Sequence, residues 1–219
     1  MKVQMMNASR WVAGASLLMA TQLGVAGTIA GSAHDFTTAA WSGGRICVAC
    51  HTPHNSNTSV SVAPLWNHKN STAAYTLYTS PTLKASVGQP GGLSKLCLSC
   101  HDGTVAVDSF GAATGTTNIS AANNVGTALN NDHPVGFLYD TALATANGSL
   151  FDPTSKSVTI GSGGQTKSGT ITATILYNGQ MECSSCHDVH NTFTVGGLGT
   201  GLLKIGASSS AICMACHNK

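Results

Sequence analysis

Charge and aromatic bulk are both scarce in this chain of 219 residues, of which 8% are Asp, Glu, Lys or Arg and 5% are Phe, Trp or Tyr. So few large side chains leave little with which to build a core, even though the length would allow one. No basic patch interrupts the sequence, which excludes a nucleic-acid partner. Beyond residue 26 no stretch is apolar over the ~20 residues that span a bilayer, so the body of the chain is not expected to be membrane-embedded. Methionine past the same point is limited to Met181 and Met214, and cysteine is absent outside four short motifs.

Those motifs organise everything else. Cys-x-x-Cys-His occurs at Cys47-Val-Ala-Cys50-His51, Cys97-Leu-Ser-Cys100-His101, Cys183-Ser-Ser-Cys186-His187 and Cys213-Met-Ala-Cys216-His217. The pattern reads as covalent attachment of c-type haem: two thiols add to the two vinyl groups and the adjoining imidazole reaches the iron. Half a zinc site or a redox dithiol would also explain paired cysteines. Neither explains a histidine after every pair. All eight cysteines are used, so none remains for a disulfide or a lipid anchor. The expected cofactor is therefore four haems c per chain, held by Cys47, Cys50, Cys97, Cys100, Cys183, Cys186, Cys213 and Cys216.

The first 26 residues read as a secretory signal. Lys2 and Arg10 give a positive start, Trp11 to Val25 is apolar and small, and Gly24-Val25-Ala26 offers a cleavage site, with Thr28-Ile29-Ala30 as the alternative. About fifteen apolar residues fall short of a membrane span. Export agrees with the motifs, because thiol addition to haem takes place on the extracytoplasmic side. The expected location is extracellular or cell-surface, with the periplasm as the alternative. Past the signal, eight Lys and Arg face eight Asp and Glu, so the mature charge is zero before haem propionates are counted.

The fold expected of residues 27–219 is mostly irregular, with short helices and a small β-hairpin, wrapped around a stack of four haems that supply the missing apolar mass. Ser94 to His101 suits a short helical turn. Lys156–Ile160 and Gly169–Tyr177 are rich in β-branched residues, and the intervening Gly-Ser-Gly-Gly run suits a hairpin turn, more simply a surface ribbon than an interaction edge. An internal repeat divides the domain into halves of about 27–130 and 131–219. Cys47–Asn55 and Cys183–Asn191 both read C-x-x-C-H-x-x-H-N, and each is followed by a plain motif and preceded by a lone histidine.

Nine histidines then serve four irons. His51, His101, His187 and His217 are the proximal ligands. His34, His54, His133 and His190 are the distal candidates, and His68 is left over. Three residues of chain reach roughly 10 Å, too little to carry the backbone from His51 round a porphyrin to its other face. His54 must therefore serve a neighbouring haem, and His190 likewise. Chain order assigns His34 to the first haem and His133 to the third. Four bis-histidine irons would be of low potential compared with Met/His ligation.

The stretches Gly31–Phe36 (GSAHDF), Cys47–Asn55 (CVACHTPHN), Ala63–His68 (APLWNH), Gln89–Gly111 (QPGGLSKLCLSCHDGTVAVDSFG), Asn131–Phe137 (NDHPVGF) and Cys183–Asn191 (CSSCHDVHN) resemble the doubled-CXXCH multihaem cytochromes. Within these they are most similar to the OmcE-type tetrahaem extracellular cytochromes of metal-reducing bacteria. The resemblance implies a head-to-tail homopolymer with one continuous electron path to external acceptors. It also implies that an axial histidine can be donated across the subunit boundary. Two other functions compete with this conduit. A monomeric periplasmic shuttle would favour a charged docking face, and the chain has little charge. A multihaem reductase would need an iron with an open position, and five spare histidines for four irons argue against an enzyme.

Overall fold

The computed structural model describes residues 27–58, 60–196 and 201–219; the expected signal lies outside them. Irregular backbone dominates. The helices are α1 (Gly92–His101), α2 (Thr141–Asn147), α3 (Ile171–Thr174), α4 (Cys183–Cys186) and α5 (Ala211–Met214). The strands form two separate antiparallel pairs, β1 (Phe137–Leu138) with β4 (Gln180–Met181) and β2 (Ser157–Ser162) with β3 (Gln165–Thr170). Among the described residues no helix is long and apolar enough to cross a membrane.

The first strand forms where its β-branched residues predict it, but the second is set back to Gln165–Thr170 and shares only Gly169 and Thr170 with the expected Gly169–Tyr177; Ser162 lies opposite Gln165 across a two-residue turn of Gly163 and Gly164. Both turn glycines have positive φ (63° and 90°), the backbone that the twist of a two-residue hairpin demands. The second strand ends sooner than its sequence suggests. Ile171–Thr174 is helical rather than extended, because the Thr170 hydroxyl accepts from Ala173 N and caps a turn whose Ile171 is fully buried. Nor is the hairpin a free ribbon: Gly161 N donates to Lys204 O at 2.9 Å and the Ser162 hydroxyl to Thr194 O at 3.1 Å, which docks it beside the third motif.

The buried apolar side chains are divided unevenly between the two halves. In the second half Phe137, Tyr139, Ala144, Ile160, Ile171, Ile175, Met181 and Ala215 form one buried cluster that brings together the β1–β4 pair, the hairpin and α5. In the first half only Tyr75, Leu98 and Leu129 do so. The scarce apolar residues are concentrated, not spread. The halves also interlock. A Cβ built on Gly27 would lie 2.0 Å from His190 O, so the start of the described chain runs over the tail of the third motif, where only glycine fits.

Candidate functional site

Each motif is one helical turn. The histidine N–H donates to the carbonyl of the first cysteine in the first, third and fourth motifs (2.8, 3.1 and 2.9 Å), and the second motif lies within α1. Residues i, i+3 and i+4 of such a turn share a face, so both sulfurs and the imidazole point the same way. Three of the four rings are then held by a backbone carbonyl: His51 Nδ1 by Pro64 O (2.9 Å), His101 Nδ1 by Asn123 O (2.8 Å) and His187 Nδ1 by Gly201 O (2.6 Å). A bond of this kind fixes the tautomer, placing the proton on Nδ1 and leaving the Nε2 lone pair for a metal.

The repeat legible in the sequence is also a repeat of backbone. Thr52 N donates to Leu65 O and Asn67 N to Cys50 O; Asp188 N donates to Leu202 O and Lys204 N to Cys186 O. His51 bridges Trp66 and His187 bridges Leu203 in the same antiparallel sense. Leu65 and Leu202 share a positive φ (59° and 55°), as do Asn55 and Asn191 (54° each). Asparagine closes both motifs because it tolerates left-handed backbone better than other residues with a Cβ.

Two pairs of imidazoles face one another. His51 and His190 have centroids 6.2 Å apart, and His34 and His101 are 6.0 Å apart. Imidazole nitrogen sits roughly 2 Å from a bound first-row metal, so two rings flanking one ion have centroids about 6 Å apart. Both spacings fit. Among the described residues no three His, Cys, Asp or Glu side chains converge on a common point. A closed zinc site needs four protein ligands, whereas a porphyrin supplies four nitrogens and asks the protein for only two. Two facing imidazoles are the number of protein ligands that haem iron would ask for.

The pairing corrects one assignment made from chain order. His34 faces His101, the second motif, not His51. The His34 residue is half-buried; burial first, then the nearby His101, His187 and His190, lowers its pKa to about 4 and keeps it neutral, the form that binds metal. Its Nδ1 is buried without a hydrogen-bond partner. His190 takes the place opposite His51, from the other half of the chain. His133 shares an apolar-lined pocket with Cys183, Cys186 and His187, and its own Nδ1 meets Pro134 O at 3.0 Å. It also lies near enough to His217 to help burial lower that ring's pKa. His54 is exposed, and its ring meets no other aromatic ring among the described residues.

His68 is only 1% exposed, with Nδ1 2.8 Å from Lys69 O and Nε2 3.1 Å from Ala106 O and 3.4 Å from Cys100 Sγ; the neutral ring that burial favours donates to one of the two carbonyls. A ring so held is a structural strut. Asp102, beside the second motif, anchors the same region. Burial would raise its pKa, but bonds from Ser71 (2.5 Å), Tyr75 (2.7 Å) and Thr104 (2.7 and 2.8 Å) hold it below the usual value. Nothing in the sequence alone marked Ser71, Tyr75 or the carbonyls of Pro64, Asn123 and Gly201 as parts of the site.

The motifs themselves form a row. Burial, then the neighbouring Cys50, raises the Cys100 thiol to about 12. Cys97 donates to Cys183, drawing the Cys183 thiol down and its own up. Burial, then Cys186, raises Cys216 to about 12. Each motif thus neighbours the next in sequence, and the tail of the third also reaches the first through His190. No family model matches the chain, and none of the curated proteins aligns with it significantly.

Proposed function

We propose that this chain is an exported tetrahaem c-type cytochrome that conducts electrons through closely packed bis-histidine haems, polymerised outside the cell for long-range transfer to external acceptors. Haem c supplies one-electron Fe(III)/Fe(II) chemistry when bound. The chain's residues do the rest. The eight motif cysteines fix the four groups covalently, His51, His101, His187 and His217 present Nε2 from one side, and His190, His34 and His133 face the first three from the other. His54 is then left for the fourth motif of a neighbouring subunit. The row of adjoining motifs keeps successive cofactors close enough for transfer without a mobile carrier.

The observation that carries the reading is the 6.0 and 6.2 Å pairing of histidines remote in sequence. Replacing His190 by alanine should convert one haem, that of Cys47 and Cys50, to high spin and leave attachment of all four intact. A wholly low-spin mutant would refute the pairing. The exposed His54, unpartnered by any ring among the described residues, favours the filament over a monomeric periplasmic shuttle.

A further inference from the structure

Glu182 is the one buried acid placed between two motifs. It precedes Cys183 and is 5% exposed. Its carboxylate accepts from Ser94 N (3.0 Å) and from the Ser94 hydroxyl, which also accepts from Cys183 N (3.0 Å). Glu182 N in turn donates to the Ser185 hydroxyl at 3.0 Å. Ser94 lies in the first turn of α1, the ten-residue helix that carries Cys97, Cys100 and His101. A carboxylate from 88 residues away therefore caps the helix of the second motif while it starts the helix of the third. The approach requires Gly92: a Cβ there would lie 2.6 Å from Glu182 Oε1, and the residue has φ +49°. Among the described residues Glu182 forms no ion pair with Lys, Arg or His. Its charge is balanced only by neutral donors.

We infer that Glu182 is a positioning and potential-setting residue shared by the second and third haems. It locks α1 to α4 at the place where Cys97 and Cys183 meet, and it puts one negative charge at that junction. A buried negative charge stabilises the ferric over the ferrous state, since the ferric state carries one more positive charge, and it lowers the reduction potential of whatever iron it faces. The thiols on which the Glu182 charge acts are those of Cys97 and Cys183, in the second and third motifs. Glu182 thus makes the two inner haems more reducing than their shared bis-histidine ligation alone would, giving the row a dip at its centre.

This inference rests on the haem reading proposed above, and its test separates the two. Haem content and spin state are measured first on the purified holoprotein; loss of haem in the wild type would refute the reading of the motifs, not the role of Glu182. The individual haem methyl signals are then followed by NMR through a reductive titration of wild type and Glu182→Gln. Two haems, those of the second and third motifs, should shift to higher potential, with all four still low-spin and the other two little changed. Unchanged potentials, or an equal shift of all four, would overturn the inference. Ser94→Ala keeps the charge but removes one of its donors, and serves if Glu182→Gln does not mature. The same two haems should then move to lower potential. No shift, or a shift upward, contradicts the proposal.

Discussion

At the scale of single residues, the nine histidines divide by what each ring nitrogen meets. His51, His101 and His187 set Nδ1 against a carbonyl and keep Nε2 clear of one, whereas His68 has a carbonyl beside each nitrogen. On the proposed reading this difference separates the ligands His51, His101 and His187 from His68. His68→Ala should lower stability by about 2–4 kcal/mol, as expected for emptying a fully buried, hydrogen-bonded site. It should leave every iron low-spin by electron paramagnetic resonance. A high-spin signal in this variant would make His68 a ligand and displace one of the eight. That it was spare followed from counting alone. That it is a strut did not, because no pattern in the sequence says where Lys69 O and Ala106 O come to rest.

At the scale of elements, the repeated unit is a one-turn motif followed by a left-handed asparagine and a returning strand-like segment. The motif and its asparagine were legible, since Cys47–Asn55 and Cys183–Asn191 match residue for residue at their fixed positions. The returning segments were not, because Pro64-Leu65-Trp66 and Gly201-Leu202-Leu203 share hardly any side chain and are alike only in backbone bonds and in the positive φ of the leucines. The first strand and the turn region of the hairpin were legible from β-branched residues and glycines, but the second strand was misplaced: the polar Gln165–Thr170 forms it, and Thr170 turns the β-branched Ile171–Thr174 into a capped helical turn. Asn55→Ala and Asn191→Ala should each cost about 1 kcal/mol for forcing alanine into left-handed backbone, or roughly 3 °C in melting temperature for a chain of this size. Glycine at either position should cost less. Circular dichroism melts of the four variants check both statements, and equal losses for alanine and glycine would mean that the asparagine side chains, not their backbone, matter.

At the scale of the whole molecule, the chain threads its halves through each other. His190 of the second half faces His51 of the first, Glu182 caps α1, and Gly27 lies on the His190 backbone. An N-terminal truncation through Phe36 would therefore strip the second haem of His34, which faces His101, before it touched any subunit boundary. On the proposed reading the histidine that crosses that boundary is the exposed His54. His54→Ala should yield exported protein with four attached haems, one of them high-spin, and no fibres by electron microscopy; fibres indistinguishable from wild type would place the boundary elsewhere. A heterologous contact of that kind propagates unless its rotation closes a ring, and a mature chain with so few charges offers little repulsion against it. All of this depends on the eight cysteines holding haem. Intact-mass spectrometry of the purified mature protein tests that most directly: the account predicts the chain plus four haem masses with no titratable thiol, and a mass showing free thiols, disulfides or bound zinc in place of haem would contradict it.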